Sequence, residues 1–274
     1  MRISNHRLLM DDGSPAAFMQ SPNVGAKIVA HEYLVMHFTA GASAESSVRW
    51  LTDKHAKASA HLVIGRDGSV TQLVPFNKQA WHAGRSLWAN RVGLNSYAIG
   101  IELDNAGKLS RQGGSWVSWW GAKIPDNEVV EAVHKNETES AGWHAFTEPQ
   151  LTAALDAAVA LVDKYGLRDV IGHGDIAPGR KNDPGPAFPM ESFRSRVLGR
   201  SDNEEGHYRT TTKLNIRQGP GTGFDKLEGS PLPKGTRAMV QQNAGNWRFV
   251  DVIDEVVKGD DLERWVHGRY LTPV

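Results

Sequence analysis

Tyr33–Phe38 is a nearly unbroken apolar run interrupted only by His37, and a period of two places Leu34, Met36 and Phe38 on one face and Val35 with His37 on the other. That is the pattern of a buried strand, here ending next to a histidine. Ser96–Leu103 reads as a second strand, with Ile99, Ile101 and Leu103 opposed to Ala98, Gly100 and Glu102. His61–Ile64 and Val70–Val74 predict a hairpin turning at Arg66-Asp67-Gly68. The spacing changes to helical over Thr147–Tyr165, where Leu151, Leu155, Ala158, Leu161 and Val162 recur on one face. Thr147 is placed to cap that helix with Gln150 three residues on, and Gly166 to end it. Shorter helices are predicted over Ser43–Asp53 and Phe188–Leu198, and a short strand over Asp169–Gly172 feeds a Gly/Pro-rich loop that runs to Pro186. The stretch 106–142 reads as an insertion between strand and long helix, with a helix over Val129–Ser140 carrying His134 and Glu137 three apart.

Strands interleaved with helices predict an α/β architecture, a mixed central β-sheet flanked by helices, over residues 1–200. The polar run 201–206 reads as a linker. Residues 207–274 carry short strand-like runs broken by Gly and Pro, which predicts a small β-barrel. The 274 residues suffice for one medium and one small domain.

Composition narrows the chemistry. The chain has no cysteine, so thiol nucleophiles, thiolate ligands and disulfides are excluded, and a metal site would have to use His, Asp and Glu. The formal net charge is zero, which argues against nucleic acid or an anionic membrane as a general partner. The first residues hold no apolar run of signal-peptide length and no stretch approaches a membrane span. The expectation is a protein cytoplasmic as synthesised, reaching a cell wall only by a non-Sec route.

Three segments hold the candidate chemistry: Leu34-Val35-Met36-His37-Phe38-Thr39, Ile99-Gly100-Ile101-Glu102-Leu103-Asp104, and Ile171-Gly172-His173 running through Lys181-Asn182-Asp183. Two imidazoles and a carboxylate suit zinc, leaving a fourth position for water. Taken singly, His37 reads as a packed strand histidine, Glu102 as a surface glutamate and Lys181 as a solvated loop lysine.

The surrounding words change that reading. With Ser59-Ala60-His61-Leu62-Val63-Ile64, Gln72-Leu73-Val74-Pro75 and Ala80-Trp81-His82-Ala83-Gly84 in order between them, the segments resemble the type-2 N-acetylmuramoyl-L-alanine amidases, from about Tyr33 to about Arg194. That group also includes phage lysozyme-like amidases and peptidoglycan recognition proteins. The resemblance implies zinc bound by His37, His173 and Asp183, with Glu102 and Lys181 catalytic. Phage-type members have cysteine at the third ligand position; Asp183 follows the bacterial amidases. It also implies hydrolysis of the amide between N-acetylmuramic acid and L-alanine in peptidoglycan or muropeptides. Glu102 would serve as general base and then acid, and Lys181 would face the developing oxyanion.

In the family the Trp81-His82 loop lines the cleft, which makes both residues substrate-contact candidates against simple loop packing. Small residues beside Glu102 on its strand face would leave room for substrate. His61 reads as structural, and Trp116, Trp119 and Trp120 as covering a domain edge in preference to stacking on sugars. A second metal site at His134 and Glu137 is disfavoured, and His31 and His144 offer no better case.

The segments Leu214-Asn215-Ile216, Leu232-Pro233-Lys234-Gly235-Thr236, Trp247-Arg248-Phe249-Val250 and Trp265-Val266-His267-Gly268-Arg269-Tyr270 resemble a bacterial SH3 domain, with Asp251–Arg264 as an exposed charged loop. Such domains often bind cell-wall peptide; a brace on the amidase domain is the alternative. The rival function is a peptidoglycan-binding protein without turnover, but relatives that only bind have lost a metal ligand, and here every position is present. A peptidase with the same zinc site is a third reading. Whether the chain serves recycling, phage lysis or delivery as an effector, and its oligomeric state, are left open by the sequence.

Overall fold

The computed structural model of the chain describes residues 1–198, 207–244, 246–254 and 263–273. It divides into two compact units, Met1–Leu198 and Gly199–Val274. The linker expected at 201–206 lies outside the described residues, as does most of the 251–264 loop.

The first unit is built on a six-stranded sheet. In chain order its strands are β1 (Ala17–Phe18), β2 (Tyr33–Phe38), β3 (Leu62–Ile64), β4 (Val70–Gln72), β5 (Ala98–Leu103) and β6 (Asp169–Gly172). They lie side by side in the order β6-β2-β5-β3-β4-β1. The four strands β6, β2, β5 and β3 run parallel, and β4 turns back antiparallel to β3, so the sheet is mixed. The helices are α1 (Ala44–Leu51), α2 (Glu148–Tyr165), α3 (His173–Ile176) and α4 (Met190–Val197).

The two faces of the sheet have different tasks. Leu34, Met36, Leu62, Ile64, Ile99, Ile101 and Leu103 point to one side and pack against the alanine-rich face of α2, Ala153, Ala154, Ala157, Ala158 and Leu161. Small side chains let that helix sit close to the β-branched and leucine surface, and the packing gives a continuous apolar core. On the other side Val63 packs with Val48 and Leu51 of α1, while Tyr33, Val35, Ala98 and Ile171 form a separate cluster. Between those clusters the sheet carries the polar residues of the site.

Local signals explain the ends of the helices. Thr147 caps α2, its hydroxyl accepting the Gln150 N–H, and Gly166 ends it in the left-handed conformation at φ 63°. The Gln150 side chain, however, does not complete a capping box. It is fully buried and donates to the carbonyls of Ile64 and Asp104 at 3.0 and 2.9 Å, tying the first turn of α2 to the sheet.

The insertion differs from expectation. Residues 108–144 form a five-stranded antiparallel sheet, and Val129–Val133 is a strand paired with Ser140–His144, not a helix. Val129, Val130 and Val133 are β-branched and find a complete partner strand, which outweighs the helical spacing of His134 and Glu137. Those two residues sit in the turn that follows, closed by the Glu137 N–H donating to the His134 carbonyl at 2.8 Å. A further departure is α3, one helical turn where a plain loop was predicted.

The second unit is a five-stranded antiparallel sheet in the order 263–267, 247–252, 237–244, 207–210, 271–273. A register shift between Val240 and Gln242 bends its longest strand, and Leu214, Ile216, Leu232, Ala238, Val250 and Val266 fill the concave side. Among the described residues no helix is long and apolar enough to cross a membrane.

Candidate active site

His37 and Glu102 are register partners on the adjacent parallel strands β2 and β5, so both side chains leave the same face of the sheet near its carboxyl end. β6 lies on the other side of β2, and its last residue, Gly172, hands the chain to His173 at the start of α3. The loop after α3 returns because the Gly174 N–H donates to the Asp183 carbonyl at 2.8 Å. Gly172 permits that approach, since a Cβ there would meet Pro184 Cδ at 2.9 Å.

These connections bring His37, His173 and Asp183 together, all buried. His37 Nδ1 lies 2.9 Å from His173 Nδ1 and 2.8 Å from Asp183 Oδ2, and His173 Nδ1 lies 3.0 Å from the same oxygen. Among the described residues this is the one group of His, Asp or Glu side chains arranged to hold a metal ion.

The outer hydrogen bonds decide what the inner atoms can be. His173 Nε2 is 3.2 Å from the Ala83 carbonyl, which can only accept, so the proton of a neutral ring is on Nε2 and Nδ1 carries a lone pair. His82 Nε2 faces the Ala98 carbonyl at 3.4 Å, leaving His82 Nδ1 to accept from His37 Nε2 at 3.0 Å. His37 then also presents a bare Nδ1. Two lone pairs and a carboxylate oxygen therefore converge on one point with no hydrogen between them, an arrangement that asks for a cation. Nitrogen and oxygen donors in this number fit zinc.

Electrostatics point the same way. Burial pushes the His37 imidazole down to about 4, so the ring is neutral at physiological pH. Burial would raise the Asp183 carboxyl, but the two imidazoles packed against it, His173 and His37, outweigh burial and hold the group below the usual carboxylate range, so the oxygen facing their nitrogens is anionic.

The Trp81–Gly84 segment supports both imidazoles at once. The Trp81 backbone is held twice by Ser59, its N–H donating to the Ser59 side-chain Oγ at 2.9 Å and its carbonyl accepting the Ser59 N–H at 3.1 Å. The N–H groups of His82 and Ala83 both donate to Asn95 Oδ1, at 3.1 and 2.8 Å. Arg180 donates to the carbonyls of Ala83 and Arg85 at 3.0 and 2.7 Å, strapping this segment to the His173–Asp183 loop. Ser59, Asn95 and Arg180 escaped sequence reasoning because their partners lie far away in the chain and no local spacing marks them.

His82 is buried and both its ring nitrogens are engaged by protein atoms, whereas Trp81 next to it is partly exposed on the cleft wall. The space beside Glu102 is also not open: a Cβ on Gly100 would meet His82 Cγ at 2.5 Å, so the small residue on β5 makes room for this imidazole and not for substrate. His61 is satisfied within the fold, Nδ1 accepting from the Gly100 N–H and Nε2 donating to the Lys78 carbonyl.

Above the cluster lies a cleft of about 940 Å³ lined by His82, Glu102, His173, Lys181 and Asp183, with Trp50, Trp81 and Trp119 on its walls. Glu102 is half-buried, but its Oε2 is closed off from solvent and has no hydrogen-bond partner. Burial, then the Asp183 charge, raises its carboxyl well above the usual range, and the Lys181 ammonium partly offsets this. A carboxylate oxygen without a partner and kept out of water, beside a group of side chains able to hold a metal ion, has the raised basicity that a proton-transfer group needs. Asn136 and Glu137 also line the cleft. Trp116 is buried inside the insertion sheet, whereas Trp119 is largely exposed.

Residues 27–186 match the family described as N-acetylmuramoyl-L-alanine amidase. The chain is similar to the 1,6-anhydro-N-acetylmuramyl-L-alanine amidase AmpD of Escherichia coli (strain K12), 35% identical over 145 residues, which cover 52% of this chain and 60% of that protein. It is similar also to the N-acetylmuramoyl-L-alanine amidase A of Achromobacter lyticus, 36% identical over 176 residues, 62% of this chain and 85% of that protein. A crystal structure of a Se-Met AmpD derivative superposes with a TM-score of 0.51 at 26% identity, covering 72% of this chain and 99% of that one. The chain thus spans less than two thirds of the length of the AmpD sequence it matches.

Proposed function

The chain belongs to the N-acetylmuramoyl-L-alanine amidase family, and from that premise and the site geometry we propose that it is a zinc hydrolase cleaving the amide between the muramic acid lactyl group and L-alanine. The observation that carries the reading is the convergence of His37 Nδ1, His173 Nδ1 and Asp183 Oδ2 on the same sheet face as Glu102, whose Oε2 is shut off from solvent and has no hydrogen-bond partner.

These three atoms would hold the zinc ion. When bound, zinc supplies Lewis acidity at the scissile carbonyl and makes water nucleophilic near neutral pH. The remaining work belongs to the chain. Glu102 Oε2, poorly solvated and without a partner, takes a proton from the attacking water and passes it to the L-alanine nitrogen as the C–N bond breaks, so that the amine leaves neutral and the carboxylate is restored. Lys181 projects into the same cleft two residues before Asp183, so a ligand pins its backbone and its ammonium can meet the negative charge that builds on the carbonyl oxygen. The walls of the cleft keep the reacting groups partly out of water, where such interactions are stronger.

The experiment is mass spectrometry of products from purified sacculi and from a soluble anhydro-muropeptide, with zinc-loaded and chelated protein. Stem peptides beginning at L-alanine should appear only with zinc. Glu102→Gln should stay folded and zinc-loaded while losing roughly a hundredfold or more in rate. Binding to sacculi with no release by the zinc-loaded wild type would instead establish the non-catalytic reading.

The curved five-stranded sheet and small apolar core of the second unit support its reading as an SH3-like module. Bound to cell-wall peptide, it would raise the local concentration of the hydrolase on an insoluble substrate.

A further inference from the structure

The insertion sheet brings one aromatic side chain to the cleft in an unusual state, exposed yet held. Trp119 sits at the tip of the turn between the strands Ser115–Val117 and Lys123–Ile124. Three hydrogen bonds close that turn: Ser118 N–H to the Ala122 carbonyl at 2.9 Å, Gly121 N–H to the Ser118 carbonyl at 2.9 Å, and Ala122 N–H to Ser118 Oγ at 3.0 Å. The indole N–H donates to the Ala40 carbonyl at 2.7 Å. The Trp120 ring meets the indole edge-to-face at 5.8 Å between centroids, and Trp120 packs on the core of the insertion. Ala40 lies three residues after the ligand His37 and adopts φ 48°, a left-handed conformation uncommon for alanine.

With its N–H bonded to Ala40 and the Trp120 ring against it, Trp119 still exposes 75% of its surface. Trp50, on α1 and 59% exposed, lines the same cleft. A large apolar side chain left in water but held by a hydrogen bond and a ring contact calls for a ligand that covers it. Pre-organisation also lowers the entropy cost of binding such a ligand. The faces of pyranose rings suit an indole, because their axial C–H groups meet the electron-rich ring face while their hydroxyls stay in solvent.

We infer that Trp119, with Trp50 in the same cleft, is a platform for sugar rings of the glycan strand on either side of the muramoyl residue whose peptide is cut, so that the chain prefers substrates with several linked sugars over a single-sugar muramoyl peptide. The inference rests on the amidase reading for the identity of the substrate, but the platform itself binds glycan with or without a peptide.

The test uses the full chain and peptide-free oligosaccharides of alternating N-acetylglucosamine and N-acetylmuramic acid, titrated by calorimetry. Wild type should bind them, and Trp119→Ala should weaken binding by about tenfold, the scale of one aromatic stacking contact. Trp119→Phe should recover part of the loss, since it keeps an aromatic face and gives up the bond to Ala40. Trp50→Ala provides an independent second variant. The ratio of kcat/KM on a glycan-chain substrate to kcat/KM on a single-sugar muramoyl peptide should fall by a similar factor in Trp119→Ala. No binding by the wild type, or unchanged affinity and ratio in both alanine variants, overturns the platform. Oligosaccharide binding without peptide release from any substrate would sink the amidase reading and leave the platform standing.

Discussion

His82 Nδ1 accepts a hydrogen bond from His37 Nε2 at 3.0 Å, and this contact fixes which nitrogen of His37 is left to bind a metal. An imidazole with both nitrogens free can present either one; here the choice is made from outside the site. His82→Ala should therefore lower zinc affinity by about 10–100-fold, the usual effect of losing an outer partner of a metal-binding histidine. His82→Asn, whose side-chain oxygen can replace Nδ1 as acceptor, should recover part of it. Chelator competition at fixed pH measures both, and unaltered affinity in His82→Ala would show that His37 needs no support.

Gly100 offers a test from the opposite side of the same ring. A single methyl group there would overlap His82 Cγ, the ideal Cβ lying only 2.5 Å away. Gly100→Ala should displace His82 and weaken zinc binding in the same sense as His82→Ala, although it alters no ligand and no hydrogen-bonding side chain. Combining the two substitutions should add little, because both act through one ring. Additive losses would mean that Gly100 works through something else.

Buried neutral histidines give the metal-free protein a defined acid sensitivity. Burial holds His61 down at about 4, against an unfolded value near 6.5. The unfolded chain then binds a proton in this window that the folded chain refuses. The contribution of His61 is complete above about pH 6.5 and is lost as pH falls toward 4, a total of roughly 3 kcal/mol. Urea unfolding of the chelated protein at pH 7 and pH 5 should show this loss, with a shallower slope in His61→Gln. An equal slope in the variant would assign the acid sensitivity elsewhere.

Gln150 is the stability test remote from the chemistry. Its amide donates to the Ile64 and Asp104 carbonyls inside the protein, while the Ile64 carbonyl also accepts from the Asp104 N–H. Gln150→Leu fills the same volume without the two donors and should cost about 1–3 kcal/mol in chemical denaturation. Zinc affinity should be unchanged, since α2 lies on the far face of the sheet from the ligands.

Much of the architecture was legible in the chain. The alternation of Leu34, Met36 and Phe38 with Val35 and His37, and of Ile99, Ile101 and Leu103 with Glu102, specifies which side chains face α2 and which face the site, because a strand has a period of two and one of its faces must be apolar. Thr147 and Gly166 mark the ends of α2 through bonding that is complete within a few residues. His37, Glu102, His173, Lys181 and Asp183 could be singled out because they sit in words that resemble a family.

Tertiary structure alone decided the rest, for reasons of distance and competition. The valines of 129–133 became a strand because a partner at 140–144 was available, and local spacing carries no information about that partner. Gln150 left the capping role its position suggested for the carbonyls of Asp104 and Ile64, 46 and 86 residues away. Gly100 proved to be a seat for His82, and the tautomers of both histidines were set by the carbonyls of Ala83 and Ala98, backbone atoms that every residue possesses. A sequence can name the groups able to donate or accept; only folding determines which of them are already taken, and so which lone pairs remain for chemistry.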